Sequence, residues 1–241
     1  MRRRLIGVFV VALAQTLGAG STSYLDKPIK GELRITSSFF SRPCIFGGAV
    51  DNLGRKAHVL VGFESTRDCR PSPWLARTPS LIGTGDDSVD LTGLSPRQAF
   101  DHLITLMPTY SWKEMDGVVV VRPKTAWDDP TDLLNFEAKS FETTNEPLDD
   151  VLHIVLRAAS IFQPHEDVRR ANPLVDRPVS VAFPGGTLLE AINEIARAHQ
   201  DVNWQLGYPT PDRPIVVLSI VDGQAGGTVM APLALPHAAR R

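Results

Sequence analysis

Histidines, paired acids and glycine turns are where this chain would carry chemistry, and each falls short of a working pattern. His58, His102, His153 and His199 lie on or beside helical periodicity, and none has a second His or Cys at zinc-ligand spacing. His165-Glu166-Asp167 sets acid beside imidazole but lacks the second histidine of a zinc-protease helix. Asp86-Asp87, Asp128-Asp129 and Asp149-Asp150 lack the spaced acids and central glycine of a calcium loop. Asp149-Asp150 falls instead in the first turn of a helix, where negative charge suits the macrodipole. No Gly-x-Ser-x-Gly turn presents a nucleophile. Pro184-Gly185-Gly186-Thr187 would place backbone N–H groups at a helix start, but no phosphate-loop lysine accompanies it. These residues read as solvated, capping or turn positions. The expectation is a protein that is not an enzyme and holds neither metal nor cofactor.

Aromatic and apolar positions remain as candidates for contact with a partner. Trp112 and Trp204 recur at matched places and read as core. Trp74 and Trp127 sit in Pro-rich connectors and read as exposed contacts. Small sheets have edges, and an edge can take a partner's strand. The apolar strands Val118, Val119, Val120, Val121 and Ile215–Ile220 are the ones to test for such an edge. Strand addition there requires that at least one of them be uncovered.

The elements that position these residues come as a repeat. Val89 matches Val181, Leu91 Phe183, Gly93 Gly185, Ser95 Thr187, Gln98 Glu190, Leu103 Ile195 and Trp112 Trp204, every pair 92 positions apart without a gap. Self-similarity at a fixed period marks one structural unit used twice. A weaker register of 102 positions joins Val50 to Leu152, Leu53 to Val155 and Ala57 to Ala159.

Within each copy the local signals agree. Thr187 with Glu190, and Ser95 with Gln98, form capping boxes in which the hydroxyl takes a free N–H and the third residue reaches back. Pro96 and Pro147 sit at favoured helix starts. The helix after Thr187 covers Leu188–His199. Val179, Val181 and Phe183 alternate as a strand does. Met115-Asp116-Gly117 suits a hairpin turn with positive φ between Tyr110–Lys113 and Val118–Val121. The expected fold class is α+β: two tandem small domains, each with two helices packed on small mixed sheets, over residues 31–123 and 135–221. Residues 124–134 would be a linker, and 222–241 a disordered tail rich in Gly, Ala and Pro.

The ends and the composition bound the setting. Arg2, Arg3 and Arg4 precede the apolar run Leu5–Leu17 and the small residues Gly18–Ser21, the layout of a signal peptide over residues 1–20. The run is short for a membrane span of about 20 residues, so no stable span is expected after cleavage. A periplasmic or secreted location follows. The 241 residues are 43% hydrophobic with a net charge of −2, which gives no electrostatic case for nucleic acid. In an oxidising compartment the two cysteines, Cys44 and Cys69, are expected to bond, closing a loop worth about 3.5 kcal/mol in the chain-entropy description.

Gly186-Thr187-Leu188-Leu189-Glu190-Ala191-Ile192, followed by Trp204 and the strand Ile215–Val221, resembles the short N-terminal domain of secretins and TonB receptors. Leu94-Ser95-Pro96-Arg97-Gln98-Ala99-Phe100 with Trp112 is the looser, degenerate copy. The resemblance implies a periplasmic interaction or adaptor module whose partner is a protein of the cell envelope, such as an outer-membrane pore or receptor. The alternative is an exported hydrolase acting on envelope polymers at a cleft between the units. A pocket gathering Asp86, His165 and Glu166 would favour it.

Overall fold

The computed structural model describes residues 23–40, 45–67, 88–161, 169–170, 177–210, 213–220 and 228–233. Residues 1–20, Cys44, Cys69, Trp74, Asp86, His165 and Glu166 lie outside the described residues. Along the first repeat run β1 (Arg34–Thr36), α1 (Gly47–Ala57), β2 (Leu60–Glu64), β3 (Ser88–Asp90), α2 (Pro96–Leu106), β4 (Tyr110–Met115) and β5 (Val118–Pro123). The second repeat has β6 (Glu137–Ala138), β7 (Phe141–Glu146), α3 (Leu148–Ala158), β8 (Arg169–Arg170), β9 (Val179–Phe183), β10 (Gly186–Thr187), α4 (Leu188–His199), β11 (Val202–Thr210), β12 (Arg213–Ile220) and β13 (Thr228–Pro232). Mixed helix and strand is the architecture, with four α-helices among the described residues. No helix among them is long and apolar enough to cross a membrane.

The local signals act where the sequence places them. Both capping boxes form: the Gln98 and Glu190 amides donate to the Ser95 and Thr187 hydroxyls, and each third residue accepts from the cap's own N–H. Asp116 and Gly117 turn the β4–β5 hairpin with φ of 51° and 88°. The weaker register of 102 is also real. His58 and Ser160 both end their helices in the left-handed region, at φ of 53° and 57°. Immediately after them, the Val59 and Ile161 amides donate to the Gly54 and Leu156 carbonyls at 2.9 and 3.0 Å. The stronger register carries a polar contact as well. The Trp112 indole donates to Asp101 at 2.9 Å and the Trp204 indole to Asn193 at 2.8 Å, donor and acceptor each shifted by the same 92 positions.

The repeats do not keep separate sheets. Seven strands in the order β4-β5-β2-β11-β12-β13-β8 form one sheet that runs through both. β2 lies parallel to β5 on one side and to β11 on the other, so a strand of the second repeat docks directly on the first. Gly62 makes that docking possible: a Cβ there would lie 2.1 Å from the Trp204 ring. Each repeat also has a two-stranded antiparallel ribbon, β1–β3 in the first and β7–β9 in the second.

Two cores lie on opposite faces of the common sheet. Val119 and Val121 join the core with α1 and α2, whereas Val118 and Val120 join the core with α3 and α4. Alternate side chains of one strand thus serve both repeats. This corrects the reading of Val118, Val119, Val120 and Val121 as a partner-binding edge. All four are 0% exposed, and β5 is paired on both sides by β4 and β2. An unbroken valine run is the mark of a strand buried on both faces, not of an edge. β12, which holds Ile215–Ile220, is likewise flanked, by β11 and β13.

The tail needs a second correction. Residues 222–241 are not wholly irregular, because Thr228–Pro232 pairs with β12 over five positions, Ile215 with Pro232 through Ser219 with Thr228. Ala231 and the following Leu233 are buried, and the Leu233 amide donates to the Pro214 carbonyl at 2.9 Å. A composition rich in Gly, Ala and Pro masked one short strand with a ready-made partner.

Candidate functional site

The three parallel strands β5, β2 and β11 end together, and their last residues converge. In open α/β sheets ligands favour the carboxyl ends of parallel strands. Here β2 ends in Glu64, β5 carries Arg122 just beyond its four valines, and β11 carries Tyr208. A cavity of about 240 Å³ opens at that place, bordered by Glu64, Thr66, Arg67, Asp129, Asp132 and Tyr208.

Arg122 organises the site. Its side chain is 0% exposed, and its guanidinium meets four acceptors. Nε donates to Glu64 Oε2 at 2.5 Å and Nη1 to Asn135 Oδ1 at 3.0 Å. Nη2 donates to Asp132 Oδ1 at 2.7 Å and to the Ala126 carbonyl at 3.1 Å. The Trp127 ring lies 5.0 Å from the guanidinium, and Lys113 Nζ lies 4.2 Å from the same ring. Asp132 also caps the short turn Leu133–Asn135 by accepting from the Leu134 amide at 2.9 Å. Asn135 Nδ2 donates to the carbonyls of Ala126 and Asp129, both at 2.7 Å. Residues 124–134, expected as a linker, are therefore stapled to the strand ends by one arginine.

Two carboxyl groups facing one guanidinium in a dry site cannot both stay charged cheaply. Burial pushes the Glu64 carboxyl well above the usual range, reinforced by its hydrogen bond to Asp132 and by the charge of Asp132, against the pull of Arg122. That direction favours the neutral form of Glu64 beside the Asp132–Arg122 ion pair. Burial likewise raises the Tyr208 phenol, with the nearby acids adding to the effect. Arg67 lies over the Tyr208 ring at 5.1 Å. On the first repeat's side, the Thr66 amide donates to the Tyr110 hydroxyl at 3.1 Å.

This cluster was missed in the sequence, though a signal exists. Two apolar runs, Leu60–Phe63 and Val118–Val121, are each followed without a turn by a charge, Glu64 and Arg122, of opposite sign. A charge that directly continues a buried strand must find a partner.

Trp127 is not a free surface contact. It is half-buried against the second core and donates to Ser111 Oγ at 2.8 Å. Trp204 is 0% exposed, whereas Trp112 is half-buried against Phe100, their centroids 5.8 Å apart, with Arg97 over it at 5.7 Å.

The ends of the common sheet are β4 and the two-residue β8, so β4 is the long rim strand among the described residues. Lys113 and Glu114 are exposed on it. Beside it Tyr24 is 38% exposed, and its phenol is pushed up to about 12 by burial and by the charge and hydrogen bond of Glu114. No family model, curated protein or solved structure matches the chain.

Proposed function

We propose that this is an exported, periplasmic interaction module, of the kind its resemblance to the secretin and TonB-receptor short N-terminal domain implies, and that it binds an envelope protein by strand addition. One observation carries the reading: β4 is a six-residue strand at the end of a seven-stranded sheet with one side unpaired among the described residues. Such a rim offers backbone donors and acceptors to an extended segment. Its exposed charges set the chemistry of the partner, an acid opposite Lys113 and a base opposite Glu114. The paired helix–hairpin units and their shared sheet hold this rim rigid. Photo-crosslinkers placed at Lys113 and Glu114 in the exported protein test the idea. A discrete adduct with a pore, receptor or secretion component of the envelope is expected, and a surface that captures nothing refutes it.

A second reading, a hydrolase at the junction of the repeats, draws on Glu64, whose carboxyl burial pushes upward, beside Asp132 and Tyr208 at the cavity. The interaction reading is preferred because Arg122 already engages both carboxyl groups. Turnover of an envelope polymer that disappears in Glu64→Gln would reverse that preference.

A further inference from the structure

The two repeats differ in what lies beside the second strand of their hairpin. In the first, the chain leaves the cap of α1 and enters β2, which pairs with β5. In the second, α3 ends in the same cap at Ser160 and Ile161, yet the place beside β12 belongs to β13. Of the described chain between α3 and β9, only Arg169–Arg170 reaches the sheet, on the far side of β13. The slot that an internal strand fills in one repeat is filled in the other by the last described strand.

Both occupants are paired on both sides, β13 with β12 and β8, but they differ in how they are tethered. β2 is tethered at both ends, paired on both sides and packed through Val61 and Phe63 into the first core. β13 joins β12 through residues 221–227, which include Gly223, Gly226 and Gly227. It places Ala231 under cover, Leu233 follows just beyond it, and Pro232 has no N–H to give. Its departure would break the pairing with β12 and β8 and vacate the places of Ala231 and Leu233 in the second core, while α3, α4, β11 and β12 keep their own contacts. What it leaves behind is the rim of β12, Ile215–Ser219, beside α3, which packs on β13.

We infer that the slot beside β12 is a strand-binding site whose resident occupant is β13, and that an extended segment of a partner protein takes the slot by displacing it. The incoming segment runs antiparallel to β12. It carries a small residue where Ala231 sits and an aliphatic residue two positions on, where Leu233 sits. Neither β4 nor its charges are involved, so this site stands or falls apart from the rim of β4. Occupied by its own tail, the full chain binds a competitor with an affinity reduced by the fraction of time the tail is away. Weakening the tail therefore strengthens binding of the partner.

A fluorescent peptide with the sequence of residues 226–235, titrated against the full chain and against Leu233→Ala, tests this. The variant is expected to bind at least about tenfold more tightly than the unaltered chain, because truncating a buried leucine loosens the resident strand. A peptide with Asp in place of its leucine at the position of Leu233 is expected not to bind. Equal affinities, no binding by either form, or equal binding of the Asp peptide would overturn the inference. Hydrogen exchange on the unaltered chain decides the matter even if the variant fails to fold. Saturating peptide should speed exchange at Val229–Leu233 and leave β12 protected, and no change would overturn the proposal. A strand-exchanged dimer that excludes the peptide would also overturn it, by making a second copy the occupant.

Discussion

Replacing Arg122 by Met removes the one side chain that ties the ends of β2 and β5 to residues 124–134. Four hydrogen bonds are lost, to Glu64, Asp132, Asn135 and the Ala126 carbonyl. Methionine fills much of the stem volume, so cavity formation is a minor part of the cost. The larger part is Asp132, left nearly buried beside Glu64 with no cation. Breaking a buried pair by deleting one partner costs about 3–5 kcal/mol. For a chain of this length each kcal/mol lowers Tm by about 2–4 °C, so a fall of roughly 6–20 °C is expected. Urea unfolding followed by circular dichroism gives the free energy, and a thermal scan gives Tm. The deficit should grow as pH rises, since Glu64 then loses its proton without the opposing charge of Arg122. A loss under about 1 kcal/mol, or a deficit unchanged with pH, would refute the claim that Arg122 staples the joint.

Glu64→Gln should be nearly neutral below the ordinary glutamate range and stabilising above it, because the site favours an uncharged side chain. The folded acidity of Glu64 lies above its unfolded value, so its contribution is complete below the ordinary glutamate range and is lost as pH rises through the folded value. The unaltered protein should therefore lose stability across that window while Glu64→Gln does not, as urea midpoints at several pH values would reveal. Gly62→Ala forces a Cβ into the Trp204 ring and should cost about 1–3 kcal/mol or more by the same assay. Ser95→Ala and Thr187→Ala each remove one side of a capping box and should cost about 1 kcal/mol, adding nearly independently since they cap different helices.

What could be read from the chain alone was local. The capping boxes of Ser95 and Thr187, the Asp116-Gly117 turn and the two registers of the repeat are spelled within a few residues, and the structure uses them. The contact that defines the architecture, β2 against β11, joins residues about 140 positions apart, and its only trace is a glycine at 62 opposite a tryptophan at 204. Without that contact the repeats read as separate units and Val118–Val121 as a spare apolar strand. With it the valines become the shared wall of two cores. Arg122 and Glu64 escaped notice for the same reason: a buried ion pair is invisible until the strands that carry it are known to be neighbours. The strand Thr228–Pro232 lies in a composition that argues for irregular chain, and only the rim of β12 gives it a place.

The measurement that bears most directly on the interaction module is crosslinking from the rim of β4 in the living envelope. With a photo-crosslinker at the exposed Asp116 beside the rim, one discrete adduct is expected, lost when the two charges are exchanged by Lys113→Glu with Glu114→Lys. An unaltered adduct pattern after the exchange, or none before it, would contradict strand addition at β4.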